Sequence, residues 1–367
     1  MATTESVATG PRSPFNRKNA GWAVGLLVVG GLLTLGIHNG TCPSSGSIWL
    51  SDFIYGIRSG AIYAMIALGY TMVYGVLQLL NFAHSEIFMI GTFAAVYTIK
   101  GLFGVQPGHA PTGVDLAFVL LVTIILAAAA SGVTAVAMER VAYRPLRKRG
   151  ASRLAYLITA IGVSLVLSNL FLLLDGQKHL GLPVAWPAIG GTGAVVYPGT
   201  ISQDKWFSIG GVPVSPVTVL VIVVAVMMLI VLDLFVHRTR TGQGIRAVAE
   251  DPETASLMGV NTNRIIVVTF LVGGLMAGVA AALFGITFAA AQFSIGFYPG
   301  LKAFTAAVLG GIGNVRGAML GGLLLGLIEQ FGIACTGAQW QTVIAFIVLV
   351  AVLMFRPTGI LGEQVGG

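Results

Sequence analysis

The sequence predicts an all-α membrane protein: a polytopic bundle of nine or ten transmembrane segments, some of them short or broken. Three observations carry that prediction. Of 367 residues, 56% are hydrophobic and only 9% charged, against about 25% charged in a soluble domain. Apolar runs recur at close to the ~20 residues that a helix needs to cross ~30 Å of hydrocarbon. Basic residues gather on alternate loops, as Lys and Arg do on the cytoplasmic side of a membrane. A soluble enzyme, a nucleic-acid binder and a disordered chain are thereby excluded. The net charge of +7 reports membrane orientation, not a polyanionic partner.

The segments follow in order. The run 21–37 comes after Arg12, Arg17 and Lys18, in the manner of a signal peptide. No small-residue cleavage site follows, so it reads as an uncleaved first membrane helix behind a cytoplasmic tail, 1–20. Further runs lie at 49–70, 82–100, 115–137, 154–174, 214–236, 265–288, 317–334 and 340–355. The stretch 298–312 is shorter and Gly-rich and reads as a half-helix. Between 49 and 100 the apolar run is nearly continuous, which points to a broken or re-entrant helix near 71–86. Such breaks are tolerated only inside protein or beside a wet cavity. The transmembrane domain is therefore 21–356, with a cytoplasmic loop at 237–264 and a cytoplasmic C-terminal tail at 357–367.

With the N-terminus inside, the inner loops collect 15 of the 20 basic residues, including Arg140, Arg144, Arg147, Lys148, Arg149 and Arg153. Outer stretches hold only Lys100, Lys178 and Lys205, which fixes the orientation. Cys42 and Cys335 then both lie outside, an oxidising face in bacteria, so a disulfide between them is chemically allowed. The other reading is two unpaired, buried thiols, since sharing a face does not ensure bridging distance. Two cysteines exclude a disulfide-stapled scaffold and a cysteine metal cluster. Trp186 and Trp206, in the outer stretch 175–214, suit either an interfacial belt or a docked partner.

The inner loop 237–264 reads HRTRTGQGIRAVAEDPETASLMGVNTNR. Asp251 is an N-cap, Pro252 takes the first helical position and Glu253 adds an acid to the first turn. Ala255, Ser256, Leu257 and Met258 continue a two-turn helix that Gly259 stops. It is either a plain connector or a docking element.

Inside the membrane, Asn81, His84, Ser85 and Glu86 are polar groups in an apolar region, costly and expected to face the bundle interior. Asn81 can cap the following helix, and Glu86 can pair with His84 or a backbone donor. They either fix a broken helix or line a translocation path. Gly317, Gly321, Gly322 and Gly326 form small-xxx-small pairs that let helices approach closely. The turn Gly310–Asn314 could end a half-helix facing a cavity. Lys302 is expected to snorkel outward, the alternative being guidance of a carboxylate. Arg58 and Asp52, six residues apart, fall on different helix faces and should not pair. No Gly-Lys dipeptide occurs, so the chain has no Walker A phosphate loop.

Three stretches resemble branched-chain amino-acid ABC transporter permeases of the LivH type. They are Ala61–Ala95, with Asn81-Phe82-Ala83-His84; the Asp251–Gly259 loop-helix continuing into Arg264–Leu283; and Gly300–Glu329, with Lys302 to Asn314. Together they cover about a quarter of the chain. It departs from the family at Ser85, usually Gly, at Arg58, commonly apolar or small, and in the extra helix 21–37. The resemblance implies a permease subunit, not an enzyme, in the bacterial inner membrane. It also implies a homologous second permease, two ATPase subunits that hold ATP and Mg, and an extracytoplasmic solute-binding protein. Asp251, Pro252, Glu253, Ala255, Leu257, Met258 and Gly259 become the ATPase-coupling helix. Asn81, His84, Glu86, Thr305 and Asn314 become candidate lining of the path. No cofactor or metal is expected in this chain. Leucine, isoleucine or valine is the implied solute. The alternatives are urea or short amides, a ribose-type sugar, or a stand-alone secondary transporter using Glu86, Glu329 or Asp233.

Overall fold

The computed structural model describes residues 42–43, 45–79, 81–106, 111–175, 195–198 and 206–362. The expected first helix 21–37, the tail 1–20, Lys178, Lys205, Trp186 and the last five residues lie outside the described residues.

Each expected segment among the described residues is a helix. In chain order they are α1 (Gly46–Leu77), α2 (His84–Tyr97), α3 (Gly113–Met138), a short α4 (Arg144–Lys148) and α5 (Arg153–Asp175). There follow α6 (Pro216–Arg238), α7 (Arg240–Glu250), α8 (Pro252–Leu257), α9 (Thr262–Phe288), α10 (Phe297–Gly310), α11 (Val315–Thr336) and α12 (Gln341–Phe355). Seven helical stretches among the described residues are long and apolar enough to cross a membrane. Of the other two expected spans, α2 has 14 residues and runs on without a break through a five-residue π-helical turn, Thr98–Leu102, while α10 has only 14. At 1.5 Å per residue α10 reaches about 21 Å, short of the hydrocarbon thickness. The expected nine or ten spans thus become, among the described residues, seven full-length apolar helices, the π-extended α2 and the short α10.

The helices begin where the sequence supplies caps. Ser215 accepts from the Thr218 amide ahead of Pro216, and the Asn261 side chain accepts from the Arg264 amide at 3.0 Å. The centre of the bundle is α1 and α9, most of whose membrane-length stretch is buried, while α5 and α12 expose nearly all of theirs. α1 packs along α11, and α9 along α3, α1 and α2. Small residues make this contact close: a Cβ on Gly322 would collide with the Ala64 backbone. Without a hydrophobic drive between helices in lipid, such close packing supplies the association.

Among the described residues, four short strands sit beside the helices. β1 (Val195–Val196) pairs with β4 (Ala290–Ala291), and β2 (Phe207–Ile209) forms a hairpin with β3 (Val212–Val214), all antiparallel. Next to β1, Tyr197 is buried and its hydroxyl donates to the Thr92 carbonyl of α2 at 2.5 Å. The Cys42 and Cys335 sulfurs are bonded, joining the chain just before α1 to the last turn of α11 across 293 residues. Trp49 lies tilted against Phe331 in the same place, with centroids 5.8 Å apart.

Candidate functional site

Two constructions stand out, one on the loop 237–264 and one around the α1–α2 break. The loop is more structured than its composition suggests. Thr239 caps α7 by accepting from the Gly242 amide at 3.0 Å, and Ile245 and Val248 turn inward. Its two glycines and two arginines read as loop, so the sequence does not point to this helix. The Thr239 cap and the Ile245–Val248 spacing were its signals.

α8 follows at once. Asp251 accepts from the Glu253 amide at 2.9 Å and from the Thr254 hydroxyl. These bonds, the Thr254 hydroxyl first, hold its carboxyl below the usual Asp range. Pro252 occupies the first turn. Gly259, at φ +84°, turns the chain out of the helix, and the Val260 amide closes onto the Ala255 carbonyl at 3.0 Å. Ala255 is buried, while Leu257 and Met258 are 87% and 80% exposed. Two large apolar side chains stand free on a helix whose polar ends are satisfied locally. Burying either would gain roughly 1.5–3 kcal/mol.

The second construction begins where α1 ends. Gln78 adopts the left-handed conformation at φ 54°, and the chain re-enters helix at His84. Asn81 does not cap α2; Ala83 holds the N-cap position with no side-chain bond. Instead the Asn81 Oδ1 accepts from the buried Tyr143 hydroxyl at 2.9 Å. Tyr143 lies in the π-helical turn Glu139–Tyr143 that joins α3 to α4. His84 is buried edge-on to Tyr70, with centroids 4.6 Å apart. Glu86 does not pair with His84. Its Oε1 accepts from Ser164 of α5 at 3.1 Å and from Ser85 at 3.5 Å, and its Oε2 has no partner among the described residues. Ser85 fits because Gly300 of α10 faces it without a side chain; a Cβ there would come 2.5 Å from the Ser85 Cβ.

The remaining candidates go elsewhere. Thr305 is buried and donates to the Leu301 carbonyl one turn back at 3.0 Å. Asn314 caps α11 through the Gly317 amide at 3.0 Å and donates to the Leu361 carbonyl at 2.9 Å. The C-terminal segment thereby closes over the α10–α11 turn. Arg58 lies over the Tyr55 ring, 5.0 Å from its centroid, and makes no ion pair with Asp52.

Lys302 does not snorkel. It is buried, with Nζ 3.2 Å from the Glu329 Oε2. The same oxygen accepts from Tyr63 at 3.0 Å and from Gln341 at 3.1 Å. This cluster ties α10 to α1, α11 and α12. It escapes sequence reasoning because 27 residues separate the two charges and no helical spacing links them. An internal Lys with an internal Glu in another segment was the only signal.

A multi-pass helical bundle with a half-length helix, broken-helix polar groups and an apolar-tipped helix on an inter-span loop defines a membrane transport subunit. Residues 53–353 match the family described as "Branched-chain amino acid transport system / permease component", and the chain belongs to that family. It is 42% identical to the high-affinity branched-chain amino acid transport system permease protein BraD of Pseudomonas aeruginosa, over 86% of this chain and 96% of the relative. It is 38% identical to LivH of Escherichia coli K12 over the same shares. The fructose import permease FrcC of Rhizobium meliloti is 30% identical, but over only 36% of this chain and 39% of the relative. No solved structure matches.

Proposed function

We propose that this chain is a membrane-spanning subunit of an ATP-driven importer that carries branched-chain amino acids. The observation that supports it most is the near full-length likeness to BraD and LivH, against the partial likeness to fructose permeases. The proposed assembly adds a homologous second permease, two ATPase subunits holding ATP and Mg, and an extracytoplasmic solute-binding protein. Both termini are placed in the cytoplasm, and 21–37 with the nine described segments makes ten passes.

In this reading α8 is the coupling helix, with Leu257 and Met258 entering a groove on an ATPase subunit. Closure of the ATPases on ATP moves α8, and α7 passes the motion to the spans. Asn81, His84, Glu86 and Thr305 line or frame the path near the α1–α2 break, and Asn314 holds the turn at its inner end. A proton-coupled carrier is less well served. Of the three carboxylates it could use, Glu329 is paired with Lys302 and Asp233 with Arg316.

The test is leucine uptake into proteoliposomes holding the full complex, with the binding protein outside. Uptake should need internal ATP and vanish without the ATPase subunits. Leu257→Asp with Met258→Asp should abolish uptake by at least tenfold while the subunit remains inserted. Uptake by this chain alone under a proton gradient overturns the reading.

A further inference from the structure

The inner end of α3 carries a feature to which the proposed transport and coupling roles assign nothing. α3, the π-helical turn and α4 form one continuous helical stretch, Gly113–Lys148, of 36 residues. At 1.5 Å per residue it extends about 54 Å, well beyond the hydrocarbon. Its exposed face is apolar through Val133 and Ala137, with Val141 beside the first basic residue: Val133 and Val141 are 67% and 78% exposed. Arg140, Arg144 and Lys148 recur every four residues directly below, so they continue that exposed face. With Pro145 and Arg149 they line an open cavity.

The inner basic residues differ in how they are held. Arg147 bonds to Glu139 at 2.8 Å and to Asn263 at 2.9 Å, and Arg316 to Asp233 at 3.0 Å. The four cations of the cavity have no acceptor among the described residues. The Arg144 Nε is buried and unpartnered. Four like charges around one cavity repel each other unless an anion sits between them.

We propose that this cavity binds the phosphate of an anionic phospholipid of the inner leaflet. Guanidinium groups suit a phosphate diester because they donate in pairs. The apolar face that runs into the cavity gives the acyl chains their place. That continuity favours lipid over an acidic protein surface, which would gain nothing from Val133 and Val141. Juxtamembrane basic clusters attract anionic leaflets in the same way.

The test uses the full complex in detergent with added phosphatidylglycerol or phosphatidylcholine, read by native mass spectrometry and thermal unfolding. The wild type should retain phosphatidylglycerol at least fivefold over phosphatidylcholine and unfold at a higher temperature with it. Arg140→Gln/Arg144→Gln/Lys148→Gln/Arg149→Gln should lose the preference, and the exposed pair Lys148→Gln/Arg149→Gln should halve it or more if the fourfold variant fails to fold. Replacing the three arginines by Lys should keep most of it. An unchanged preference in the Gln variants overturns the proposal. So does displacement by millimolar inorganic phosphate, which would make the ligand a free anion. Loss of ATPase subunits from the Gln variants with lipid binding intact would make the patch a protein contact instead.

Discussion

Glu329, inside the bundle, and Asp251, on the loop before α8, are both carboxylates that accept several hydrogen bonds, yet their surroundings differ. Around Glu329 the polar groups are hidden: Lys302, Tyr63 and Gln341 converge on one oxygen. Around Asp251 the polar groups close a helix end, and the apolar ones, Leu257 and Met258, are left in the open. A buried charge is costly, so Glu329 persists only while its partner does. An exposed pair of large apolar side chains wastes stabilisation unless another surface covers it. The first region ties four helices together; the second leaves its apolar side chains uncovered.

Removing one charge separates these roles most sharply. Glu329→Ala strands the Lys302 ammonium in the interior and should cost about 3–5 kcal/mol. Thermal unfolding in detergent, or the yield of inserted protein, measures it. The double change Lys302→Met/Glu329→Leu should recover most of the loss, because well-packed apolar replacements of buried pairs are often neutral. If the single variant is as stable as wild type, the ion pair is no clamp. If the double variant is stable but transports poorly, the pair also serves the transport cycle.

The disulfide end of the bundle offers an intermediate case. The Cys42–Cys335 bond fastens α1 to α11 where Trp49 and Phe331 already meet. Cys335→Ser should leave the helices in place and lower stability by about 2–4 kcal/mol. A reductant should have no effect on that variant and should shift wild type to match it. Identical unfolding of wild type with and without reductant would show that the aromatic contact suffices.

How legible each region was follows from its physics. Spans are readable because crossing lipid requires a long apolar run whatever the tertiary context, and so every described segment appears near its expected place. Their length was less readable. α10 stops after 14 residues at Gly311, whose φ of +107° turns the chain out of the helix. α8 was legible because a cap, a proline and a glycine act within nine residues. α7 was not, since its glycines and arginines disguise an amphipathic helix. The roles of Asn81, Glu86 and Lys302 depend on partners 62, 78 and 27 residues away. No local pattern carries such pairings, which is why capping and snorkelling were the natural but incorrect expectations for Asn81 and Lys302.

The smallest expected effect tests whether Asp251 acts as a cap or as a charge. Its folded pKa is lowered, so the stabilisation it brings is present above the ordinary Asp value of about 3.9 and is lost as pH falls through the folded value. Between pH 5 and 8 the carboxylate stays ionised, and the cap should not vary. Asp251→Ala removes the acceptor for the Glu253 amide and the Thr254 hydroxyl, frays α8, and should lower uptake a few-fold by the same factor at both pH values. Asp251→Asn keeps an N-cap of equal rank without the charge. If α8 needs only its shape, the Asn variant should transport close to wild type while the Ala variant does not. If both variants fail equally, the negative charge itself meets the partner, and α8 shares with the interior a dependence on a charge pair.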